Sequence, residues 1–514
     1  MKGDVYYRPI MVVGTASHVG KSVLVAGLCR VFARRGISVA PFKAQNMALN
    51  SGVTPDGLEI GRAQITQAEA AGLEPRVEMN PILLKPTSDV GAQVVLMGKV
   101  LGNYRGADYY RLKPRLVKTV MTAYRRLRGA HQLIILEGAG SCAEVNLKKH
   151  DLVNMSMARR AGAKVILCAD IDTGGVFAQV VGSLSLLTPS ERAMVCGVVI
   201  NKFRGDAALF TPGIDFLVQR TGKPVLGLVP RFEHIALPQE DGVALQERGR
   251  PAGREGRVRV GVVKLSHIAN YTDADALEAE EAVSLRWVER PGELAGLDLL
   301  ILPGSKNTLA ALRGLHDSGL FRAVRSFHAL GGKVLGLCGG YQLLGEIIAD
   351  PLGVEGPPGQ AKGLGLLPVV TEMAGEKTTT RARAACLEAL PFGVEGPVEG
   401  YEIHMGQSRA RGEDRPALLL TARAGRAVRE PEGQVSPNGR VVGTYLHGIL
   451  DNDALRAALL AWAAGVEPGG GLRDYASFKD RQYDLLADLL ERHLDLEGLL
   501  EPVRDQGPAS RERA

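Results

Sequence analysis

The stretch "VVGTASHVGKSVLVAGLCRVFARRG", Val12 to Gly36, decides how the first half of the chain is read. A short β-branched run stops at Gly14, a loop follows, and Gly20, Lys21 and Ser22 open a segment with helical apolar spacing that closes at Gly36. Backbone N–H groups of such a loop, together with the N-terminus of the helix, cradle phosphates. The lysine reaches the outer phosphates and the serine hydroxyl can hold Mg²⁺. Strand before and helix after make a nucleotide site the reading.

Further runs extend the pattern on both sides. "PIMVVG", "LIILEG", "KVILCAD" and "CGVVINK" are each followed by a helical or Gly-rich segment, an alternation that implies a doubly wound parallel sheet. "ALQERGRPAGREGR" (244–257) is rich in Arg, Gly and Pro and reads as a linker. Beyond it "RVRVGVVKLS", "LDLLILPGS" and "KVLGLCGG" repeat the style. The expected organisation is an α/β unit at 1–243, a second α/β unit at 258–452, and a helical extension with a frayed tail at 453–514.

Composition narrows the classes. The 514 residues exceed what one ordinary core accommodates. A formal charge of +6, from 62 basic against 56 acidic residues, is too small and too dispersed to indicate a nucleic-acid groove. Six cysteines lie far apart without CxxC spacing, which argues against a zinc site or disulfide framework and fits a reducing cytoplasm. No run supplies the roughly 18 apolar residues of a membrane span.

A triphosphate site needs acidic ligands for its metal. Glu137, at the end of the run "QLIILE", is placed for that role, and Glu59 in "TPDGLEIGRAQ" is a second candidate. Asp170 and Asp172 in "CADIDTGG" end another strand, where turn chemistry competes with a ligand role.

In the second half "KVLGLCGGYQLLG" (Lys333 to Gly345) places Cys338 between a strand and a helix, beside two glycines. The helix N-terminus stabilises thiolate, and the corner projects the sulfur as a nucleophile would require. His447 in "VVGTYLHGIL" is the candidate base, and backbone N–H groups at Gly304 and Gly339 the candidate oxyanion hole.

These pieces resemble a known class. "LILPGSKNT", "LGLCGGYQLLG" and "GYEIHMG" followed by "GTYLHG" look like a class I glutamine amidotransferase domain, and the Gly14–Ser22 loop has the spacing of dethiobiotin-synthetase-like ATPases. The amidotransferase class usually carries a glutamate two residues after the histidine, where this chain has Ile449. That departure is shared by the cobyric and cobyrinic acid branch. Glu402 and His404 in "GYEIHMG" are possible helpers but stand outside the catalytic set. "PFKAQNMALNSG", "ADIDTGGVFAQVVGSL", "INKFRGD" and "RQYDLLADLLERHLD" extend the resemblance to the cobyric acid synthase family over nearly the whole chain.

The resemblance implies ATP- and glutamine-dependent amidation of the b, d, e and g carboxylates of adenosylcobyrinic acid a,c-diamide, with Mg²⁺, through an acyl phosphate. It puts Cys338 and His447 in the catalytic roles, ATP phosphates on Gly14, Thr15, Gly20, Lys21 and Ser22, adenine near Asn201, and Lys43, Asn46 and Lys85 toward the corrinoid or the transferred phosphate. A cobyrinic acid a,c-diamide synthase and a ParA/MinD-like ATPase are the competing readings. The latter lacks a Cys–His half, and its usual early lysine is replaced here by Thr15 and Ala16.

Overall fold

Ile10–Gly14, the last six residues of Lys164–Asp170, the first six of Leu133–Ser141 and Val39–Phe42 are buried on both faces, as in a parallel sheet covered by helices. The computed structural model describes residues 6–88, 91–238, 240, 257–465 and 473–504. In its first half six strands run in the order Val225–Pro230, Val195–Phe203, Lys164–Asp170, Ile10–Gly14, Leu133–Ser141, Val39–Phe42, all parallel. The Lys21–Arg34 helix packs on one face, so the loop before it sits over the C-terminal strand ends.

A second parallel sheet carries Val283–Val288, Val258–Val263, Leu299–Leu302, Lys333–Leu337 and Val441–Thr444 in that order, with Gln434–Val435 antiparallel at the edge. The expected second α/β unit is therefore present, with one addition. Between Cys338 and His447 the chain inserts a mostly antiparallel sheet built on the long pair Val369–Cys386 and Pro397–Ala410, with Ile347–Asp350 parallel to the first.

The segment after 452 is not a single extension. Asp453–Ala464 buries Leu455, Leu459 and Leu460 in the core of the second sheet. Tyr475–His493 instead crosses back to the first half, where Leu486 and Leu490 pack against Gly27. A side chain on Gly27 would meet Leu490 Cδ1 at 2.4 Å, and the contact is flanked by Arg30–Asp484 at 2.8 Å and Arg34–Asp488 at 2.6 Å. The linker expected at 244–257, apart from Arg257, and the tail from 505 onward lie outside the described residues. Among the described residues no helix is long and apolar enough to cross a membrane.

Candidate active site

The loop after Ile10–Gly14 borders a cavity of about 1840 Å³. Gly20 adopts φ 93°, and a Cβ there would lie 2.1 Å from Asn201 Nδ2, so only glycine lets the chain turn into the helix at this point. Asn201 Nδ2 donates to the Val19 carbonyl at 2.8 Å and fixes the loop from the neighbouring strand. Lys21 Nζ donates to the carbonyls of Ala16 (3.0 Å) and Gly140 (2.9 Å), and burial pulls its pKa below the usual lysine value. Ser17, Gly20, Lys21, Ser22 and Asn201 line the cavity. Gly14 and Thr15 do not: the Thr15 hydroxyl donates to Gln179 Oε1 at 3.0 Å and its amide to Cys168, beneath the loop. The expectation that Thr15 meets phosphate is corrected accordingly.

Glu137 is buried at the cavity wall, midway along its strand and not at its end. It accepts from Ser22 Oγ (2.8 Å), Lys43 Nζ (2.6 Å) and Gln67 Nε2 (2.6 Å). Burial opposes its charge, but Lys43 and these hydrogen bonds outweigh that and hold the carboxyl below its usual range. A hydroxyl and an ionised carboxylate side by side at the start of the loop's helix are the oxygen donors Mg²⁺ prefers, so this pair fits the metal.

Glu59 does not join them. It is buried with Lys85 Nζ at 2.7 Å from Oε1 and Lys377 Nζ at 2.5 Å from Oε2, while the Ser51 hydroxyl also donates to Oε1. Both oxygens are thus occupied, and Glu59 is corrected from metal ligand to counter-ion of two lysines. Lys85 is corrected with it. Its neighbours Leu84 and Pro86 line the cavity, and the period of two along the Ile82–Ser88 strand turns Lys85 to the opposite face. Lys43 and Asn46 do line the cavity, and Asn46 Nδ2 donates to Gln64 Oε1 (3.0 Å) and Glu240 Oε1 (2.7 Å). Asp170 pairs with Lys202 at 2.8 Å and Asp172 with Arg204 at 2.9 Å.

In the second half Cys338 caps the Gly339–Leu344 helix at φ 51°, ψ −107°, a conformation unfavourable for a side-chain-bearing residue and kept because its surroundings leave no alternative. Those surroundings are close. A Cβ on Gly340 would lie 1.8 Å from the Leu302 carbonyl oxygen, and one on Gly339 2.6 Å from the Ser305 amide nitrogen. The Gly304–Ser305 segment therefore runs directly beside the first turn of this helix, whose leading amides have no partner inside the helix.

The Cys338 thiol lies 3.6 Å from the Ile403 carbonyl. His447 is buried beside the Gly304 turn, where a Cβ on Gly304 would lie 3.1 Å from His447 Cε1. Its Nδ1 lies 2.6 Å from Asp273 Oδ2, and Asp273 Oδ1 accepts the Gly448 amide at 2.9 Å. Burial would lower the imidazole pKa, but Asp273 and Cys338 outweigh it and push it up to about 10. The Tyr401 ring stacks on the imidazole, with centroids 5.4 Å apart. Asp273 is the member that sequence reasoning missed. It lies in "YTDADALEAEE", where nothing separates one acid from the next, and the signal available was the vacancy at Ile449. Glu402 pairs with Arg423 at 2.8 Å and contacts His404 at 3.4 Å, away from His447.

The two centres meet through the hairpin of Ser51–Val53 and Glu59–Gly61. Ser51 N donates to Asn270 Oδ1 (2.9 Å), Arg381 Nε to the Val53 carbonyl (3.2 Å), and Arg62, next in sequence, to the Tyr401 hydroxyl (2.7 Å).

Residues 10–244 match the CobQ/CobB/MinD/ParA nucleotide binding domain, and residues 259–455 the CobB/CobQ-like glutamine amidotransferase domain. The chain is 49% identical over 502 residues to the cobyric acid synthase of Syntrophobacter fumaroxidans, covering 95% of this chain and 97% of that protein. It is 50% identical over 498 residues to that of Citrobacter koseri (95% and 97%) and 49% over 497 to that of Moorella thermoacetica (95% and 96%). The chain belongs to the cobyric acid synthase family. As a cobyric acid synthase homologue it is a ligase of the glutamine amidotransferase type, its two halves accounting for nucleotide and glutamine. Membership sets aside the ParA/MinD-like reading, since those ATPases lack the Cys338 half that cobyric acid synthases share along their length.

Proposed function

We propose that the enzyme uses ATP and glutamine to amidate the b, d, e and g carboxylates of adenosylcobyrinic acid a,c-diamide, giving adenosylcobyric acid. The observation that carries this reading is the Cys338–His447–Asp273 constellation joined by a hairpin to a cavity of about 1840 Å³ walled by Lys21, Lys43 and Glu137. That volume exceeds the roughly 300–1,000 Å³ of common ligand clefts, as a nucleotide bound beside a macrocycle requires.

The chemistry divides between the halves. Cys338 thiolate attacks the glutamine side-chain carbonyl, and the amides of Gly339 and the adjoining Gly304–Ser305 backbone meet the oxygen as it gains charge. His447 gives its proton to the departing nitrogen, and Asp273 holds the ring so that the Nδ1 side stays fixed. Ammonia leaves, and water hydrolyses the thioester with His447 as base.

In the cavity a corrinoid carboxylate attacks the outer phosphoryl group of ATP, because a carboxylate cannot itself expel oxide. Lys21 and the loop amides hold the phosphates, and Lys43 offers a second cation. Ser22 and Glu137 would hold Mg²⁺, which when bound neutralises charge on the phosphoryl oxygens. Ammonia then displaces phosphate from the acyl phosphate.

Mass spectrometry of the corrinoid after incubation with ATP, Mg²⁺ and glutamine tests this. Four carboxyl-to-amide conversions on the a,c-diamide are expected. Two conversions on cobyrinic acid, with none on the diamide, would replace the reading with that of an a,c-diamide synthase.

A further inference from the structure

Amide formation from an acyl phosphate has a proton to dispose of, and none of the residues named above takes it. Glu240 lines the same cavity as Lys21 and Lys43. Its Oε1 accepts from Asn46 Nδ2 at 2.7 Å and from the Ala63 amide at 3.1 Å, in the first turn of the nine-residue helix Arg62–Ala70. Among the described residues its side-chain hydrogen bonds all fall on Oε1, so Oε2 is left out of that bonding.

Position adds a second argument. The Glu240 carbonyl accepts from Asn50 Nδ2 at 2.8 Å, while Asn50 Oδ1 accepts the amide of Tyr271, two residues before Asp273. One asparagine thus touches both Glu240 and the segment that carries the glutaminase carboxylate. Glu240 is thereby linked through one side chain to the lobe that supplies nitrogen.

We propose that Glu240 is the proton acceptor of amide-bond formation, its carboxylate taking an N–H proton as ammonia adds to the activated carboxyl carbon. This rests on the acyl phosphate reading above. The nitrogen lone pair forms the C–N bond and the carbonyl π pair moves to oxygen. The N–H proton passes to Glu240, the carbonyl re-forms, and the C–O bond to phosphate breaks with phosphate taking the electron pair. Product exit lets Glu240 return the proton to water. The surrounding charges favour such a base, because burial raises the carboxyl pKa to about 7, Lys43 opposes that, and Glu137 adds to it. The group is ionised above that pH and a strong enough base to accept a proton there.

Glu240→Gln in the full chain is the test, because a glutamine oxygen accepts the same two hydrogen bonds and only the basicity is lost. With saturating glutamine, amide formation falls about 100-fold while glutamate release and positional exchange of oxygen-18 within labelled ATP, which reports the acyl phosphate before its C–O bond breaks, persist. The wild-type rise in amide formation through about pH 7 disappears, and Glu240→Asp recovers part of the rate. Amide formation within about threefold of wild type and an unchanged pH profile would overturn the assignment. So would loss of glutamate release and positional exchange together in both variants, which marks a structural role. Absence of oxygen-18 transfer from substrate carboxylate to phosphate in the wild-type enzyme would instead remove the acyl phosphate on which the inference stands.

Discussion

Asp273 and His447, 174 residues apart in sequence, are bound to each other at 2.6 Å, and both are buried. The imidazole therefore has an anionic partner even though the residue two positions after it is isoleucine. Asp273→Asn keeps the shape and removes the charge. Glutamine hydrolysis should fall by about 10²- to 10⁴-fold, while synthesis supplied with external ammonia continues. Paired assays of glutamate release and ammonia-dependent amidation read the two effects separately.

The same pair sets a pH dependence of stability. The folded-state pKa of His447 is raised from 6.5 to about 10, so its contribution is fully present below pH 6.5 and is lost as pH rises through about 10. The gap in melting temperature between wild type and Asp273→Asn should be widest near pH 6 and narrow toward pH 10. A gap that widened on going alkaline would contradict the assignment of charge.

Glu59 binds two buried ammonium groups, so Glu59→Ala leaves both uncompensated and should cost about 3 kcal/mol or more. Burial works against the Glu59 charge, but Lys377 and Lys85 outweigh it and depress the pKa. The stabilisation is present above the ordinary carboxylate pKa and lost as pH falls below it. Denaturation midpoints should show the deficit of the variant in full at neutral pH and shrinking on acidification. Its Mg²⁺ dependence in ATP binding should match wild type.

Glu137→Gln bears on the opposite case. With Ser22 as its neighbour at 2.8 Å and the cavity beside it, the variant should lose the magnesium dependence of nucleotide binding, together with at least about 100-fold of ATP-driven synthesis. Glutaminase turnover at Cys338 should survive. Calorimetric titration of ATP with and without Mg²⁺ decides it.

Gly340→Ala places a methyl group 1.8 Å from a backbone oxygen that cannot swing aside. The turn must open, Cys338 leaves its position, and glutamine hydrolysis should drop to background. ATP binding measured on the same preparation should be retained.

Both parallel sheets were legible because fully buried strands carry unbroken β-branched runs, and Gly20–Lys21–Ser22 and Cys338 announce themselves by glycine at a strand-to-helix corner. The antiparallel sheet was not. Strand Val369–Cys386 includes "EKTTTRARAAC", whose half-exposed alternation resembles loop composition until a partner strand is known. Glu59 reads as a site residue because it is an acid near a helix start, and Lys85 through the family resemblance, yet the two pair with each other between strands of separate sheets. Asp273 depends on a contact spanning 174 residues, which no local pattern encodes.

The return of Tyr475–His493 to the Lys21–Arg34 helix has a consequence for biosynthesis. The ribosome delivers the ATP-handling sheet first, but the apolar flank of its principal helix stays uncovered until Tyr475–His493 has been translated. The amidotransferase lobe is made in between, so it condenses while its neighbour is unfinished. Cutting the gene between the lobes would orphan that flank, and two separately expressed halves would regain solubility only when the terminal helix is grafted onto the first.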